Sequence, residues 1–103
     1  MVIDEAQKTA LEEEHGEVLV LETDFGDLAF RMPTTEEYNV FLDQIHDEEL
    51  RTRATRTLLN VSLVAPDKDG LATILRKRPG LVSPLGNQLT EWAGLQKSAV
   101  RKK

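Results

Sequence analysis

The sequence contains no cysteine, which excludes disulfides, thiolate metal ligands and cysteine nucleophiles. Its two histidines, His15 and His46, lie far apart in the sequence and cannot form a zinc site by themselves. Aromatic residues are scarce, with one Trp, one Tyr and three Phe, so the core must consist mainly of Leu, Val and Ile. No apolar run approaches the ~18 residues needed to cross a bilayer, and the acidic N-terminus does not resemble a signal peptide. We therefore expect a cytoplasmic protein with no membrane partner.

Motifs that position catalytic or nucleotide-binding groups are missing as well. The chain has no Gly-x-Ser-x-Gly elbow and no Gly-rich phosphate-binding loop. The run Glu12–Glu14 beside His15 suggests metal ligation, but neighbouring ligands on a flexible segment do not converge on one ion. Asp24 and Asp27 lack the spacing of a calcium loop. We predict a protein that is not an enzyme and has no catalytic, cofactor-binding or metal-binding residues.

Charge is abundant, and it is divided between the two halves of the chain. Residues 1–50 carry fifteen acids against two bases, a balance of −13. Residues 51–103 carry eleven bases against three acids, a balance of +8, which brings the whole chain to −5. Such a division is typical of a chain that assembles with a charged partner or with further copies of itself.

The length of 103 residues corresponds to one domain. We predict an acidic mobile arm at residues 1–16, a single α+β domain at 17–95 and a basic tail at 96–103. The arm has only a thin apolar face before Gly16, and the tail has little apolar content, so neither can bury much surface alone.

The predicted domain begins with the pattern of a β-hairpin. Residues 17–22 form a short apolar run, and residues 27–32 alternate, with Leu28, Phe30 and Met32 on one side. The intervening residues 23–26 include the Asp and Gly that favour a tight turn.

Helices are predicted after the hairpin, each with a capping residue or a proline at its start. The expected starts are at Thr34 or Thr35, at Asp47, at Asp67, and at Ser83 or Pro84. The helix from Asp47 is expected to carry Leu50, Ala54, Leu58, Val61 and Val64 inward and to stop at Pro66. The predicted fold class is therefore α+β, an N-terminal β-hairpin followed by a small bundle of three to four helices.

Two basic runs offer an alternative function in DNA binding. Arg76–Arg78 and Arg101–Lys103 could neutralise phosphates, and the break at Pro79–Gly80 is compatible with a helix-turn-helix. The isoelectric point near 5.0 and the lack of aromatic residues among the bases disfavour nucleic acid as a partner. A small DNA-binding regulator that uses the basic half is kept as the alternative to a protein-binding function.

Four short motifs lie within residues 17–95: Arg31–Thr34 after the predicted hairpin, Arg78–Gly80 at the end of a predicted helix, and Gly86–Leu89 and Ala93–Gly94 within and at the end of the last one. They resemble motifs of the small tail assembly chaperones of long-tailed bacteriophages. In that family a hairpin leads through an Arg-x-Pro-Thr step into a helix, a later helix ends in Arg/Tyr-Pro-Gly, and a Gly-Asn-x-Leu helix closes at Ala-Gly. A structural component of the phage tail or head is a second alternative.

The resemblance implies a non-enzymatic protein that binds the tape measure protein in the host cytoplasm during tail assembly and is absent from the mature virion. The tail tube protein and further copies of the chain are additional candidate partners. A chaperone of this kind needs apolar contact surfaces, for which the candidates are Phe25, Phe41, Leu89 and Trp92. For Phe25 a partner contact and a position folded back on the protein are about equally favoured, whereas for Trp92 a place in the core is favoured over an interface.

Overall fold

The computed structural model describes residues 2–94, and the predicted basic tail at 96–103 lies outside them. The fold is α+β, as predicted, with an N-terminal helix before the hairpin and four helices after it within the described residues. The elements, in chain order, are α1 (Glu5–His15), β1 (Val18–Thr23), β2 (Gly26–Arg31), α2 (Thr35–Gln44), α3 (Glu48–Ser62), β3 (Leu63–Ala65), α4 (Lys68–Lys77), a 3-10 turn (Pro79–Leu81) and α5 (Val82–Trp92).

The β1–β2 hairpin has the register that its alternating sequence predicts. Leu21 lies opposite Leu28, and Leu19 lies opposite Phe30, so these four side chains project towards the helical core. At the turn, the Thr23 hydroxyl donates to the Gly26 carbonyl at 2.6 Å. Gly26 has a φ of 126°, a conformation that favours glycine.

The helix predicted to run from Asp47 to Pro66 is α3, and its predicted end is wrong by three residues. α3 stops at Ser62, and Leu63–Ala65 form β3, which pairs antiparallel with β2 in a sheet of order β1-β2-β3. Val64 is therefore a strand residue. Pairing with Ala29 and Phe30 gives this segment hydrogen-bond partners that are distant in the sequence, and helical periodicity cannot predict them.

The starts of α2, α3 and α4 agree with the predicted caps, whereas α5 begins at Val82, before the predicted Ser83 or Pro84, and has no side-chain cap. Thr34 accepts from the backbone N–H of Glu37, whose carboxylate in turn accepts from the Thr34 N–H at 2.9 Å. Asp47 and Asp67 accept from backbone N–H groups in the first turns of α3 and α4. These bonds satisfy donors that a helix cannot pair internally, and they fix where each helix begins.

One ion pair joins three elements near the end of the sheet. The guanidinium of Arg31, the last residue of β2, donates to both carboxylate oxygens of Glu37 in α2 at 2.9 Å. It also donates to the carbonyl of Val61 in α3 at 2.8 Å. Arg31 therefore orients the first two helices of the bundle relative to the sheet.

The acidic N-terminal segment forms a helix that packs against β1. Only Ile3, Lys8 and Leu11 are half-buried, and α1 contains no buried residue. The Ile3 backbone N–H donates to the Asp27 carboxylate at 2.9 Å, which fixes the start of this segment against the hairpin. The predicted arm thus has a helical conformation, and its mobility stays a prediction.

Candidate partner-binding groove

An open groove of about 530 Å³ lies between α3 and α5, and we call it the α3–α5 groove. Its walls are completed by the end of α2, the α2–α3 connection and the 3-10 turn. The lining residues are Phe41, Ile45, His46, Arg51, Thr52, Thr55, Pro79, Gly80, Val82, Ser83, Gly86, Asn87 and Thr90. Most of these side chains are apolar or small, which suits the contact surface of another protein better than the site of a reaction.

Close packing of α3 on α5 forms the bottom of the groove. Gly86 is buried, and a Cβ atom at this position would collide with the methyl group of Thr55. The two helices can therefore approach only because residue 86 has no side chain. Phe41 contributes from α2, and its ring lies 5.8 Å from that of Tyr38.

Two of the hydroxyl groups along the groove donate to backbone carbonyls of their own helices. Thr55 donates to the Arg51 carbonyl at 3.0 Å, and Thr90 donates to the Gly86 carbonyl at 2.9 Å. The Arg51 side chain is held across the α2–α3 connection, because its Nε donates to the Ile45 carbonyl at 2.9 Å. Thr55 and Thr90 therefore already have acceptors for their hydroxyl protons within the protein.

The charge at the groove is positive and comes from Arg51. Arg51 and His46 belong to the lining, which includes no Asp or Glu. Ser83 and His46 both line the groove, but without a carboxylate there to orient the imidazole they do not form a Ser-His-Asp arrangement. The groove can offer apolar contact and attraction for negative charge.

The four predicted contact residues lie in different environments. Leu89 is fully buried in the core, so it offers no surface to a partner in this structure. Phe41 is 7% exposed and contributes to the α3–α5 groove. Trp92 is half-buried against the core. Phe25 is half-buried at the hairpin turn, where Arg78 Cζ and Lys77 Nζ lie 5.1 and 5.4 Å from its ring centroid.

Residues 8–102 match the family model described as "Domain of unknown function (DUF6848)". The chain belongs to the DUF6848 family. No curated protein matches the sequence of this chain with statistical significance. The solved structure of the uncharacterised protein RBSTP2171 from Bacillus stearothermophilus is similar, with a TM-score of 0.75 and 18% identity over 91% of this chain and 98% of that one. At this identity the likeness concerns the fold.

Sequence reasoning did not predict that Ile45, Val82, Gly86 and Thr55 line the α3–α5 groove. One signal was available, since Val82, Gly86 and Thr90 recur every four residues and so share one face of α5. A small residue in the middle of such a face indicates a close approach by another helix. The sequence does not reveal that α3 is that helix.

Within residues 2–94, no three His, Cys, Asp or Glu side chains are grouped as potential metal ligands. No helix in the same range is both long and apolar enough to span a bilayer.

Proposed function

We propose that this protein is a non-catalytic tail assembly chaperone that binds the tape measure protein in the host cytoplasm and is absent from the finished virion. The observation that carries the proposal is where the chaperone-like motifs lie in the fold. Pro79 and Gly80 of one motif and Gly86 and Asn87 of another line the same α3–α5 groove. Motifs that are separate in the sequence thus meet at one apolar surface.

The groove has the properties needed for stoichiometric binding of a protein segment. Its volume of about 530 Å³ and its apolar lining from Phe41, Ile45 and Val82 suit the hydrophobic side chains of one helix face. Covering such side chains on a long, aggregation-prone partner would keep that partner soluble until the tail tube forms. Because the groove is open along the surface, release needs no rearrangement of the core.

Co-expression with the tape measure protein tests this function directly. The tagged chain is produced together with the longest tail-cluster protein of its source genome. We expect the tape measure protein to become soluble and to co-purify with the tag. A tape measure protein that stays insoluble and does not co-purify would contradict the proposal.

Two tryptophan variants test the role of the groove. Asn87 is exposed and lines the groove, so Asn87→Trp should obstruct it and abolish co-purification. Gln88 is the exposed neighbour on α5 and lies outside the groove, so Gln88→Trp is the matched control and should retain binding. Equal binding by both variants would rule out the groove as the contact surface. Presence of the protein in purified virions would instead favour a structural tail or head component.

A further inference from the structure

A second groove, of about 440 Å³, lies between α3 and α4, and we call it the α3–α4 groove. Two exposed arginines mark its opposite sides, Arg56 on α3 and Arg76 on α4. The same lining includes the exposed side chains of Ala72 and Pro79 and the buried leucines of α4. The full lining is Arg56, Asn60, Leu71, Ala72, Leu75, Arg76 and Pro79, and it includes no carboxylate.

Neither arginine of this groove has an acidic partner within residues 2–94. The ion pairs found in that range are Arg31 with Glu37 and His15 with Glu14. Arg76 makes only a long contact of 3.4 Å with the Thr73 hydroxyl. Two unpaired guanidinium groups in a groove that is otherwise lined mostly by apolar side chains are suited to an acidic helix with a small apolar face.

Helix α1 has the complementary surface. Ala6, Ala10 and Glu13 follow i, i+4, i+7 spacing and are all exposed. Glu14 is exposed beside them, and the half-buried Lys8 and Leu11 belong to the side that faces β1. The outward face of α1 therefore carries two small apolar side chains followed by acids.

We propose that the outward face of α1 in one copy docks into the α3–α4 groove of a second copy. Ala6 and Ala10 would lie along Ala72 and Pro79, and Glu13 and Glu14 would pair with Arg56 and Arg76. The contact joins two different surfaces, so repetition gives head-to-tail chains or rings. It is a small interface, and copies associate reversibly through it.

A second copy fits this groove better than nucleic acid does. Apart from its arginines and Asn60 the groove lining is apolar, and it carries no aromatic side chain on which a base could stack. The net charge of −5 repels a polyanion at long range, whereas a helix with local acidic charge needs only the two nearby arginines. The charge division of the sequence then has a physical use, because each copy carries both halves of the contact.

Sedimentation velocity of the full-length chain at low and at high salt is the first measurement. We expect concentration-dependent association at low salt that weakens as salt rises, since the Debye length falls to about 10 Å at 0.1 M. A protein that sediments as a monomer at every concentration in low salt would overturn the proposal. The experiment needs no tape measure protein, so its result is independent of the chaperone assignment.

Charge-reversal variants then identify the two surfaces. R56E/R76E should lose association, and so should E13K/E14K. R53E/K68E is the matched control, because it makes the same charge change at exposed positions of α3 and α4 outside the groove, and it should still associate. Far-UV circular dichroism checks that each variant keeps its fold.

Mixing the two inactive variants gives the decisive result. R56E/R76E retains the acidic helix and E13K/E14K retains the basic groove, so an equimolar mixture contains one native contact. The mixture also allows a contact in which the charges are exchanged, between the basic helix of E13K/E14K and the acidic groove of R56E/R76E. We expect the mixture to associate although neither variant does so alone. A mixture that remains monomeric, or an R56E/R76E variant that associates like wild type, would overturn the assignment of the surfaces.

Discussion

Glu37 holds a position where one side chain performs two structural tasks. It caps α2 through the Thr34 N–H and accepts a bidentate hydrogen bond from Arg31. The two side chains are 25% and 27% exposed, so the pair is partly shielded from water. The hydrogen bond from Arg31 lowers the pKa of Glu37 to about 2, and the Thr34 N–H adds to this effect. The same hydrogen bond raises the pKa of Arg31.

Replacing Glu37 should change how stability depends on pH. The pKa of Glu37 is lower in the folded protein than its ordinary value of 4.5, so its ionised form stabilises the fold above that pH. This contribution is lost as the pH falls from about 4.5 towards 2. We expect Glu37→Gln to lower the free energy of unfolding at neutral pH by on the order of 1–3 kcal/mol. As the pH approaches 2, the free energies of unfolding of the variant and of wild type should become equal.

Urea unfolding across this acidic range measures the difference. Glu36→Gln is the control, because Glu36 is an exposed neighbour in the same helix turn and takes no part in the ion pair. It should change the unfolding free energy by less than about 0.5 kcal/mol. A Glu37→Gln variant that matches wild type at every pH would show that the pair does not stabilise the fold.

At the scale of elements, the contact between α3 and α5 depends on a glycine facing a threonine. Gly86→Ala would introduce a methyl group into the space held by the Thr55 methyl. We expect this substitution to lower the free energy of unfolding by about 1–3 kcal/mol, because the helices must separate. In a Thr55→Ser background the obstructing methyl group is gone. There the same substitution should stabilise the protein by up to about 1 kcal/mol through alanine's higher helix propensity.

A double-mutant cycle of Thr55→Ser and Gly86→Ala, followed by denaturant unfolding, measures this change of sign. Serine keeps the hydroxyl that donates to the Arg51 carbonyl, so the cycle isolates the methyl group. Gly80→Ala is the control, since a Cβ at residue 80 has open space around it. If Gly86→Ala costs the same stability in both backgrounds, Thr55 is not what limits the approach of the helices.

The parts of the fold that the sequence predicts are those decided by neighbouring residues. Thr34, Asp47 and Asp67 cap helices through bonds that span two or three residues, and the hairpin register follows from alternation and a short turn. The β3 strand was not predictable in this way, because its partners in β2 are more than thirty residues away. The α3–α5 groove depends on a similar distant contact between Thr55 and Gly86. Residue types alone predicted Leu89 as a contact for a partner, whereas the structure buries it fully in the core.

At the scale of the whole molecule, the fold has a strongly packed part and a weakly packed part. Side chains from both strands of the hairpin and from all the later helices form one core, in which Phe30 and Leu59 are fully buried. Helix α1 lies outside this core and buries none of its residues. Few buried apolar contacts mean a low free energy of local opening. We therefore expect α1 to open locally while the rest of the fold stays intact.

Amide hydrogen exchange should reveal this difference. At high salt, where association is screened, we expect amides of α1 to exchange through local opening and those of β2 and α3 to exchange only near global unfolding. Low concentrations of urea should then speed exchange in the core and leave α1 almost unchanged, because opening α1 exposes little surface. At low salt and high protein concentration, docking in the α3–α4 groove should slow exchange in α1 of wild type but not of E13K/E14K. Protection of α1 equal to that of the core at high salt would contradict this division, because a helix without buried residues would then open only with the whole protein.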